Sequence, residues 1–491
     1  MRSALWIAAC TLVQLLLQLW IQIWIARQFG AAAAVDALQA AMAPPVVLSS
    51  LVAGSLGYAF VPSFVRLYQA AKQDPERNAA AWELASTMLA LISFGALIIA
   101  AAGWWGASRF VSWLYSGFSV EQQALTARLW RILIWLTVTG SMISVLQAIH
   151  QGRQRFFLPA ISGVLGIGYT LVHCLLRGST IDELAWSILI GAVVAVAVQL
   201  WPVIHQGRCS WVGVQSTAHT FWLMVPLLVG MAYTKLDPLI DRMIASSLPT
   251  GAISQLGYAN RIATALLTIS VSSLSLVAFP RLSAAAVSGD PRQLSQQLGV
   301  CLAWVLRIII PLIIGCTLFA NPIVHDLFQR GAFTAQDTEH VARLLMLSSG
   351  FLAGAALGEL ISKGFYALND TRTPTLIGAI GLTIGFVLKL ILVRSWGVNA
   401  IMLASAVYFL GSAVAMLYLL ARRVGNDFLR PLPAASLASL AGSVPAAITA
   451  ALMLWYVPQA GIWLAGPLAG LSYFAALFLV EKYQGTDLRQ W

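Results

Sequence analysis

The polar side chains with the most chemical potential lie inside long apolar segments of the chain. Arg261 follows Asn260 in an apolar stretch at 252–279, about nine residues from one end. At about 1.5 Å per helical residue it would lie about 13 Å inside a membrane. Burying a guanidinium there costs about 2.5–3.5 kcal/mol, so we expect Arg261 to face a polar cavity. It can bind a phosphate oxygen pair, with Asn260 as a second substrate contact. The alternatives are a structural ion pair or a side chain that extends to the membrane surface.

Three glutamines recur at helical spacing near the N-terminus: Gln14, Gln18 and Gln22. Residues at i, i+4 and i+8 share one face of a helix, which predicts a single polar stripe. Amides can hydrogen-bond sugar hydroxyls or a peptide, but they cannot neutralise a diphosphate. We predict that the stripe lines a substrate cavity. Hydrogen bonding between helices is the alternative.

A pair of opposite charges is the next candidate. Asp241 lies in the apolar segment 219–247 and Lys389 in the segment 374–394, each about 8–9 Å from the same end by helical rise. Equal depth permits an Asp241–Lys389 ion pair, with the ammonium where a sodium ion would otherwise bind. Alternatively, Asp241 pairs with Arg242 or Lys235, and Lys389 extends outward.

Motifs of other chemistry are missing from the sequence. There is no nucleotide-binding loop, no metal-ligand spacing and no nucleophile–base motif, so we predict no catalytic residues, no bound metal and no enzyme activity. The five cysteines lack CxxC spacing and are odd in number, which argues against a disulfide framework.

Composition identifies the elements that must position these residues. The chain has 491 residues, of which 59% are hydrophobic and 10% charged, and its mean hydropathy is +0.81. Soluble proteins carry about 25% charged residues. We predict an all-α membrane protein that crosses the bilayer about fourteen times. The predicted crossings are 4–26, 36–62, 81–107, 128–149, 157–176, 184–206, 219–247, 252–279, 295–320, 341–367, 374–394, 397–421, 433–456 and 461–481.

The basic residues predict the orientation. Lys and Arg favour one set of helix ends, for example Arg66, Arg153 and Arg423, over the other by about two to one. This places both termini in the cytoplasm and explains the net charge of +11 without nucleic acid.

An internal repeat divides the chain. Residues 117–129 match residues 332–344 at an offset of 215, which also pairs Pro159 with Pro374 and Gly166 with Gly381. We predict six-helix lobes at 1–206 and 219–421, followed by two further helices at 433–481. Because six is an even number, both lobes insert the same way up, related by a pseudo-two-fold axis along the membrane normal. Two such lobes would enclose a central cavity suited to alternating access.

Several stretches resemble the MurJ/MviN family of lipid-linked peptidoglycan-precursor flippases, within the wider multidrug and oligosaccharidyl-lipid exporter superfamily. The resemblance implies a flippase of the bacterial inner membrane for a polyprenyl-diphosphate-linked glycan, with cavity arginines that contact the diphosphate. Arg261 matches the arginine of the eighth helix, and Asp241 an acidic position that some members use for sodium. The stretches are "ARQFGAAAAVDALQAA" (26–41), "AFVPSFVRLY" (59–68), "IDRMIASSLPTGAISQLGYANRI" (240–262), "LFQRGAFTAQDT" (327–338) and "FYALNDTRTPT" (365–375).

The sequence also departs from the family. Leu15 and Ile21 stand at the positions of the first-helix arginines, Ser49 and Ser50 at those of the second-helix arginines, and Gly54 at that of a nearby glutamate. These losses leave open which glycan is carried: a lipid II-like precursor, or an exopolysaccharide or O-antigen-type precursor. A small-molecule exporter of the multidrug type and a non-transporting scaffold of a glycan synthesis complex are further alternatives.

The remaining expectations concern partners. We expect a lipid-linked glycan and membrane lipids as ligands, glycan synthases as candidate protein partners, a monomer, and no cofactor. A coupling sodium ion is not favoured, because Lys389 stands where related sequences carry a small polar residue.

Overall fold

The chain is helical throughout the part that the computed structural model describes. That part comprises residues 2–70, 75–177, 180–206, 224, 228, 235–287, 290–457 and 461–484, and it contains no β-strand. The chain divides into two compact units, Met1–Ser254 and Gln255–Trp491. The first predicted lobe ends at 206 and the second begins at 219. Residues 207–223 lie outside the described part, so these limits stay a prediction.

Unit 1 contains nine helices whose bounds the structure gives, together with the start of a tenth. They are α1 (Arg2–Phe29), α2 (Ala33–Ala70), α3 (Pro75–Trp105), α4 (Ala107–Leu114), α5 (Val120–Leu133), α6 (Leu136–Gly152), α7 (Phe157–Arg177), α8 (Ile181–Gln206), α9 (Asp237–Ala245) and the first turn of α10 (Ala252–Leu267).

Unit 2 holds the rest of α10 and the helices that follow. They are a π-helical segment (Thr268–Ser272), α11 (Ser273–Val287), α12 (Pro291–Leu318), α13 (Ala320–Phe328), α14 (Ala335–Leu347), α15 (Ser349–Ala367), α16 (Arg372–Trp396), α17 (Val398–Val424), a 3-10 turn (Asp427–Leu429), α18 (Pro431–Tyr456) and α19 (Gly461–Gln484).

Twelve helical segments of the described residues are long and apolar enough to cross a membrane. The predicted crossing 219–247 lies largely outside the described residues. The predicted crossing 252–279 corresponds to α10, the π-helical segment and α11. The prediction of an all-α polytopic membrane protein is therefore confirmed, and its count of fourteen crossings is approximate.

Two helices begin before the crossings predicted for them, which start at 128 and 341. The helices begin at 120 and 335, where the Ser119 and Thr334 hydroxyls accept hydrogen bonds from the Gln122 and Asp337 backbone N–H groups. Asp337 completes a capping box with Thr334. Such caps satisfy backbone donors that the first helical turn leaves unpaired. The helices therefore start in polar sequence, before the apolar run that the prediction used.

Helix starts recur in the two units at the spacing of the sequence repeat. Helices α3 and α12 start at Pro75 and Pro291, and α5 and α14 at residues 120 and 335. Helices α7 and α16 start at Phe157 and Arg372. The offset is 215 or 216 residues throughout, so each unit contains the same series of helices in this part of its chain.

Small residues allow one close helix crossing in each unit. A Cβ atom at Gly166 of α7 would lie 2.5 Å from the Gly191 carbonyl oxygen of α8. At the matching Gly381 of α16, a Cβ atom would overlap the Ser412 hydroxyl of α17. Close approach of backbones at small residues is how membrane helices gain van der Waals contact.

Candidate functional site

A cavity with both polar and apolar lining lies within unit 1, among α1, α6, α7 and α8. Its volume is about 340 Å³, at the lower end of the roughly 300–1,000 Å³ of small-molecule pockets. The polar side chains that line it are Thr11, Gln14, Gln147, Gln151, Ser162 and Gln199.

Gln14 is the member of the predicted glutamine stripe that lines this cavity. Its Nε2 atom donates a hydrogen bond of 2.6 Å to the Ala160 carbonyl oxygen of α7. Gly163 permits this approach, because a Cβ atom there would lie 2.6 Å from the same Nε2 atom. Gln18 and Gln22 are half-buried on α1 and are not among the lining residues. The stripe thus contributes one side chain to the cavity, and the substrate role of all three stays a prediction.

A buried hydrogen-bond chain supports two of the lining residues, Ser162 and Gln199. The His150 Nε2 atom of α6 donates to the Gln199 backbone carbonyl oxygen at 3.0 Å. The Gln199 Nε2 atom donates to the Ser162 hydroxyl at 2.9 Å, and that hydroxyl donates to the Pro159 carbonyl at 2.8 Å. The chain connects α6, α8 and α7, so it fixes the position of the Gln199 side chain.

One acceptor of this hydrogen-bond chain is unsatisfied. The Gln199 side-chain oxygen Oε1 is buried and accepts no hydrogen bond from any residue of the described part of the chain. Most buried polar atoms have a partner, so an orphan acceptor on a residue that lines a cavity invites a ligand.

The sequence analysis did not predict that Gln147, Gln151, Ser162 and Gln199 line one cavity. These residues come from three helices, and only Gln147 and Gln151 repeat at i and i+4. That spacing on a helix of otherwise apolar character is the signal that would have found two of them.

Asn260 and Arg261 lie on α10, and both are half-buried. At the start of this helix, the Asp36 carboxylate of α2 accepts hydrogen bonds from the Gly251 and Ser254 backbone N–H groups at 2.6 and 2.7 Å. Gly251 has a φ of +97°, a conformation that favours glycine. A carboxylate at a helix N-terminus also interacts favourably with the helix dipole. The sequence motifs around Asp36 and Gly251 are therefore two halves of one contact.

Further along α10, within unit 2, an aromatic cluster holds the helix. The Tyr258 ring is fully buried, with its centroid 5.0 Å from that of Phe328 and 5.4 Å from that of Phe333. Phe333 is the repeat partner of Phe118, which is also buried. Arg261 follows Tyr258 by one helical turn, so its backbone is fixed by packing on the previous turn.

Asp241 and Lys389 are both buried, at 8% and 0% exposure. Asp241 lies on α9 in unit 1. Lys389 lies on α16 in unit 2, with its ammonium 5.6 Å from the centroid of the Tyr408 ring. A lysine that extends outward would be exposed, so that alternative for Lys389 is wrong. The Asp241–Lys389 pair itself stays a prediction.

Ser49, at one of the lost arginine positions, packs on a neighbouring helix of unit 1. Its hydroxyl lies 2.9 Å from the Pro45 carbonyl and 3.2 Å from the Leu136 carbonyl of α6. A Cβ atom at Gly140 of α6 would overlap it. The serine therefore fills a tight contact between α2 and α6 in this chain.

Tyr115 closes the connection between α4 and α5 in unit 1. Its hydroxyl donates a 2.8 Å hydrogen bond to the Ala40 carbonyl of α2. Burial raises the pKa of this phenol above its usual range, and the charge of Arg242 partly offsets that rise. The phenol therefore stays protonated at physiological pH and acts as a structural donor.

Comparison with known proteins identifies relatives over most of the chain. The sequence model of a family described as "Lipid II flippase MurJ" matches residues 25–469. The lipid II flippase MurJ of Burkholderia cenocepacia is 28% identical over 405 residues, which cover 78% of this chain and 76% of that protein. A probable lipid II flippase MurJ of Haemophilus influenzae is 26% identical over 476 residues, or 92% of both chains.

Solved structures agree on the fold. A lipid II flippase MurJ in an inward closed conformation superposes with a TM-score of 0.81 at 20% identity, covering 97% of this chain and 99% of the other. An inward-facing multidrug resistance transporter of the MATE family, in the MOP superfamily, gives a TM-score of 0.68 at 15% identity, covering 84% and 95%. With a family match across some nine-tenths of its length, the chain belongs to the lipid II flippase MurJ family.

Proposed function

We propose that this protein is an alternating-access flippase that moves a polyprenyl-diphosphate-linked glycan from the cytoplasmic to the periplasmic leaflet of the bacterial inner membrane. The observation that carries the proposal is the family match over residues 25–469, which includes Arg261 on α10. A half-buried guanidinium there supplies bidentate donors for a diphosphate. Transport of such a molecule requires no covalent chemistry, in keeping with a non-enzymatic family.

Both termini are proposed to be cytoplasmic. The excess of Lys and Arg on one set of helix ends supports this orientation. Fusions of a reporter that is active only in the periplasm test it: a fusion after residue 484 should be inactive, and a fusion in the 115–119 connection should be active. The opposite pattern would reverse the orientation.

Complementation tests the transport proposal. The wild-type gene is expressed in a bacterium depleted of its own lipid II flippase, beside Arg261→Ala, Arg261→Lys and the control Arg343→Ala. Arg343 is a suitable control because it is half-exposed and pairs with Glu339 on the same helix surface. Losing a charge-assisted contact costs about 1.5–3 kcal/mol, so Arg261→Ala should slow translocation about tenfold or more.

The expected result is rescue by wild type and Arg343→Ala, weak rescue by Arg261→Lys, and none by Arg261→Ala. Lysine keeps the charge but loses the bidentate geometry. Equal rescue by all four would remove Arg261 from substrate binding. No rescue by the wild type, with the protein present in the membrane, would exclude lipid II as the substrate.

A second candidate substrate is an exopolysaccharide or O-antigen-type precursor. The observation that favours it is the loss of basic residues at the four helix-one and helix-two positions, which hold Leu15, Ile21, Ser49 and Ser50. Proteoliposomes that contain a fluorescent polyprenyl-diphosphate glycan of one type or the other separate the two candidates. A membrane-impermeant quencher added outside quenches molecules that start in the inner leaflet only if the protein transports that glycan. A chain that moves neither would be a scaffold.

A further inference from the structure

Polar side chains line the unit 1 cavity beside apolar ones. Among the residues that the structure describes, none that lines it is Asp, Glu, Lys, Arg or His. A bound ion would therefore lose its hydration without a counter-charge, which is costly. The cavity is suited to a neutral polar ligand.

Its hydrogen-bonding groups match a ligand that both donates and accepts. A glutamine amide has two donors and an acceptor, and a hydroxyl has one donor and an acceptor. The buried Gln199 Oε1 atom lacks a donor among the described residues, and Ser162 beside it is part of the same hydrogen-bond chain. A ligand hydroxyl at this point would satisfy the orphan acceptor and gain a bond in a low-dielectric environment.

The mouth of the cavity adds two amides and an aromatic ring. Gln147 and Gln151 lie one turn apart on α6, and both are exposed. The Phe156 ring, also exposed, lines the same cavity. An aromatic face beside convergent amides suits a flat ring that has an apolar face and a polar edge.

We propose that this cavity binds a sugar ring, with Gln199 and Ser162 at its inner end and Gln147, Gln151 and Phe156 at its mouth. The sugar has two sources: the glycan of the lipid-linked substrate, which rests on the proposed function, or a soluble sugar. The chemistry of the contacts is the same in both cases.

Binding is measured on the full-length protein in lipid nanodiscs, free of sugar-headed detergents, which would compete. The first probe is free N-acetylglucosamine, detected by saturation-transfer difference NMR. The second and third are a polyprenyl diphosphate with and without that sugar, detected by titration. Empty nanodiscs give the background.

The variants are Gln199→Leu, Gln147→Leu and the control Gln28→Leu. Gln28 is an exposed glutamine of α1 that does not line the cavity, so the control makes the same chemical change elsewhere. Loss of a buried hydrogen-bond partner should weaken sugar binding about tenfold for Gln199→Leu, and the exposed Gln147→Leu about threefold. Gln28→Leu should bind as the wild type does.

The cavity binds the transported glycan if the lipid-linked sugar binds more tightly than the sugar-free lipid and the amide variants lose this difference. Amide-dependent binding of the free sugar alone assigns it to a soluble sugar. If the probes bind equally to wild type and both cavity variants, or do not bind, the proposal is wrong. Gln147→Leu decides the matter if Gln199→Leu does not fold, because an exposed residue has little influence on folding. Failed complementation and no transport of either glycan in proteoliposomes, together with amide-dependent binding, would reject the flippase while leaving the sugar site intact.

Discussion

Two corners of the chain have the same backbone and opposite chemistry. One joins α6 to α7 (residues 152–157) in unit 1, and the other joins α15 to α16 (residues 367–372) in unit 2. Gln154 and Asn369, separated by the repeat offset, both have a φ of +59°. The next residue in each case donates to the carbonyl five residues back, Arg155 to His150 and Asp370 to Phe365. The turn has therefore been kept while its side chains have diverged.

The unit 2 corner is closed by a carboxylate. Asp370 accepts hydrogen bonds from the Arg372 and Thr373 backbone N–H groups at 3.0 Å, and its Oδ2 atom lies 2.5 Å from the Arg423 guanidinium. The hydrogen bonds from Thr373 are the main cause that lowers the pKa of Asp370 to about 2, and Arg423 lowers it further. In unit 1 the same position is Arg155, and the corner borders the cavity instead. One copy of the repeat thus uses this turn for stability, and the other leaves it beside the cavity proposed to bind a sugar.

The largest difference between the units is expected at the matched glycines of α7 and α16. Gly166→Ala places a methyl group against the Gly191 backbone, and overpacking of this kind costs about 2 kcal/mol. Gly381→Ala meets the Ser412 hydroxyl, which makes no hydrogen bond within the described residues and can rotate away. Apparent melting temperatures in detergent should therefore fall clearly for Gly166→Ala and little for Gly381→Ala.

Gly168→Ala and Gly378→Ala are the controls, since a Cβ atom at either glycine meets nothing within 4 Å. Alanine is the better helix former by about 1 kcal/mol, so both should hold or gain stability. Equal losses at Gly166 and Gly168 would contradict the close α7–α8 crossing.

A smaller effect is expected from Asp370→Asn, about 1 kcal/mol after allowance for the half-exposed Arg423. Because the folded-state pKa of Asp370 is depressed, its stabilisation is present above about pH 4 and is lost as the pH falls towards about 2. Wild type should exceed the variant in melting temperature at pH 6, and the gap should narrow at pH 3.

The matched control is Glu339→Gln, which breaks the exposed Glu339–Arg343 pair of α14. Exposed helical pairs contribute about 0.3–0.5 kcal/mol, so this variant should change little. If the difference in melting temperature between wild type and Asp370→Asn is the same at pH 3 as at pH 6, the carboxylate charge does not stabilise the corner.

The smallest effect concerns the left-handed residues of the two corners. Asparagine tolerates this conformation better than glutamine does, because its short side chain bonds locally. Gln154→Gly should therefore stabilise the protein by about 0.5–1 kcal/mol, and Asn369→Gly by close to zero. Melting temperatures measured side by side test this order, and a larger gain at Asn369 would reverse the comparison.

The sequence predicted the features that depend on local pattern. Apolar runs gave the helices, and the 215-residue repeat correctly paired Phe118 with Phe333 and Gly166 with Gly381, residues with matching burial or contacts in their units. The caps at Ser119 and Thr334 carried a readable signal that apolar periodicity alone overlooked. The short helices α4 and α13 were also missed, because each is too short to cross a membrane.

The cavity of unit 1 was not predicted, because the sequence analysis expected a central cavity between two lobes; Gln14 is the one residue proposed for that cavity that lines this one. The other polar residues of the unit 1 cavity come from separate helices, so their proximity depends on tertiary packing that no local pattern encodes. Asp36 illustrates the same limit. Its motif was recognised, but its contact with Gly251 and Ser254 joins residues 215 and 218 positions apart.

The Asp36 contact also limits how Arg261 can move. It holds the first turn of α10, and Arg261 lies nine residues beyond Ala252, or about 13 Å along the axis. A rod held at its base can only swing: a tilt of about 10° would carry the Arg261 backbone sideways by about 2 Å while leaving its height unchanged. Small rotations at the base would thus sweep this charge through an arc rather than shift it along the helix axis.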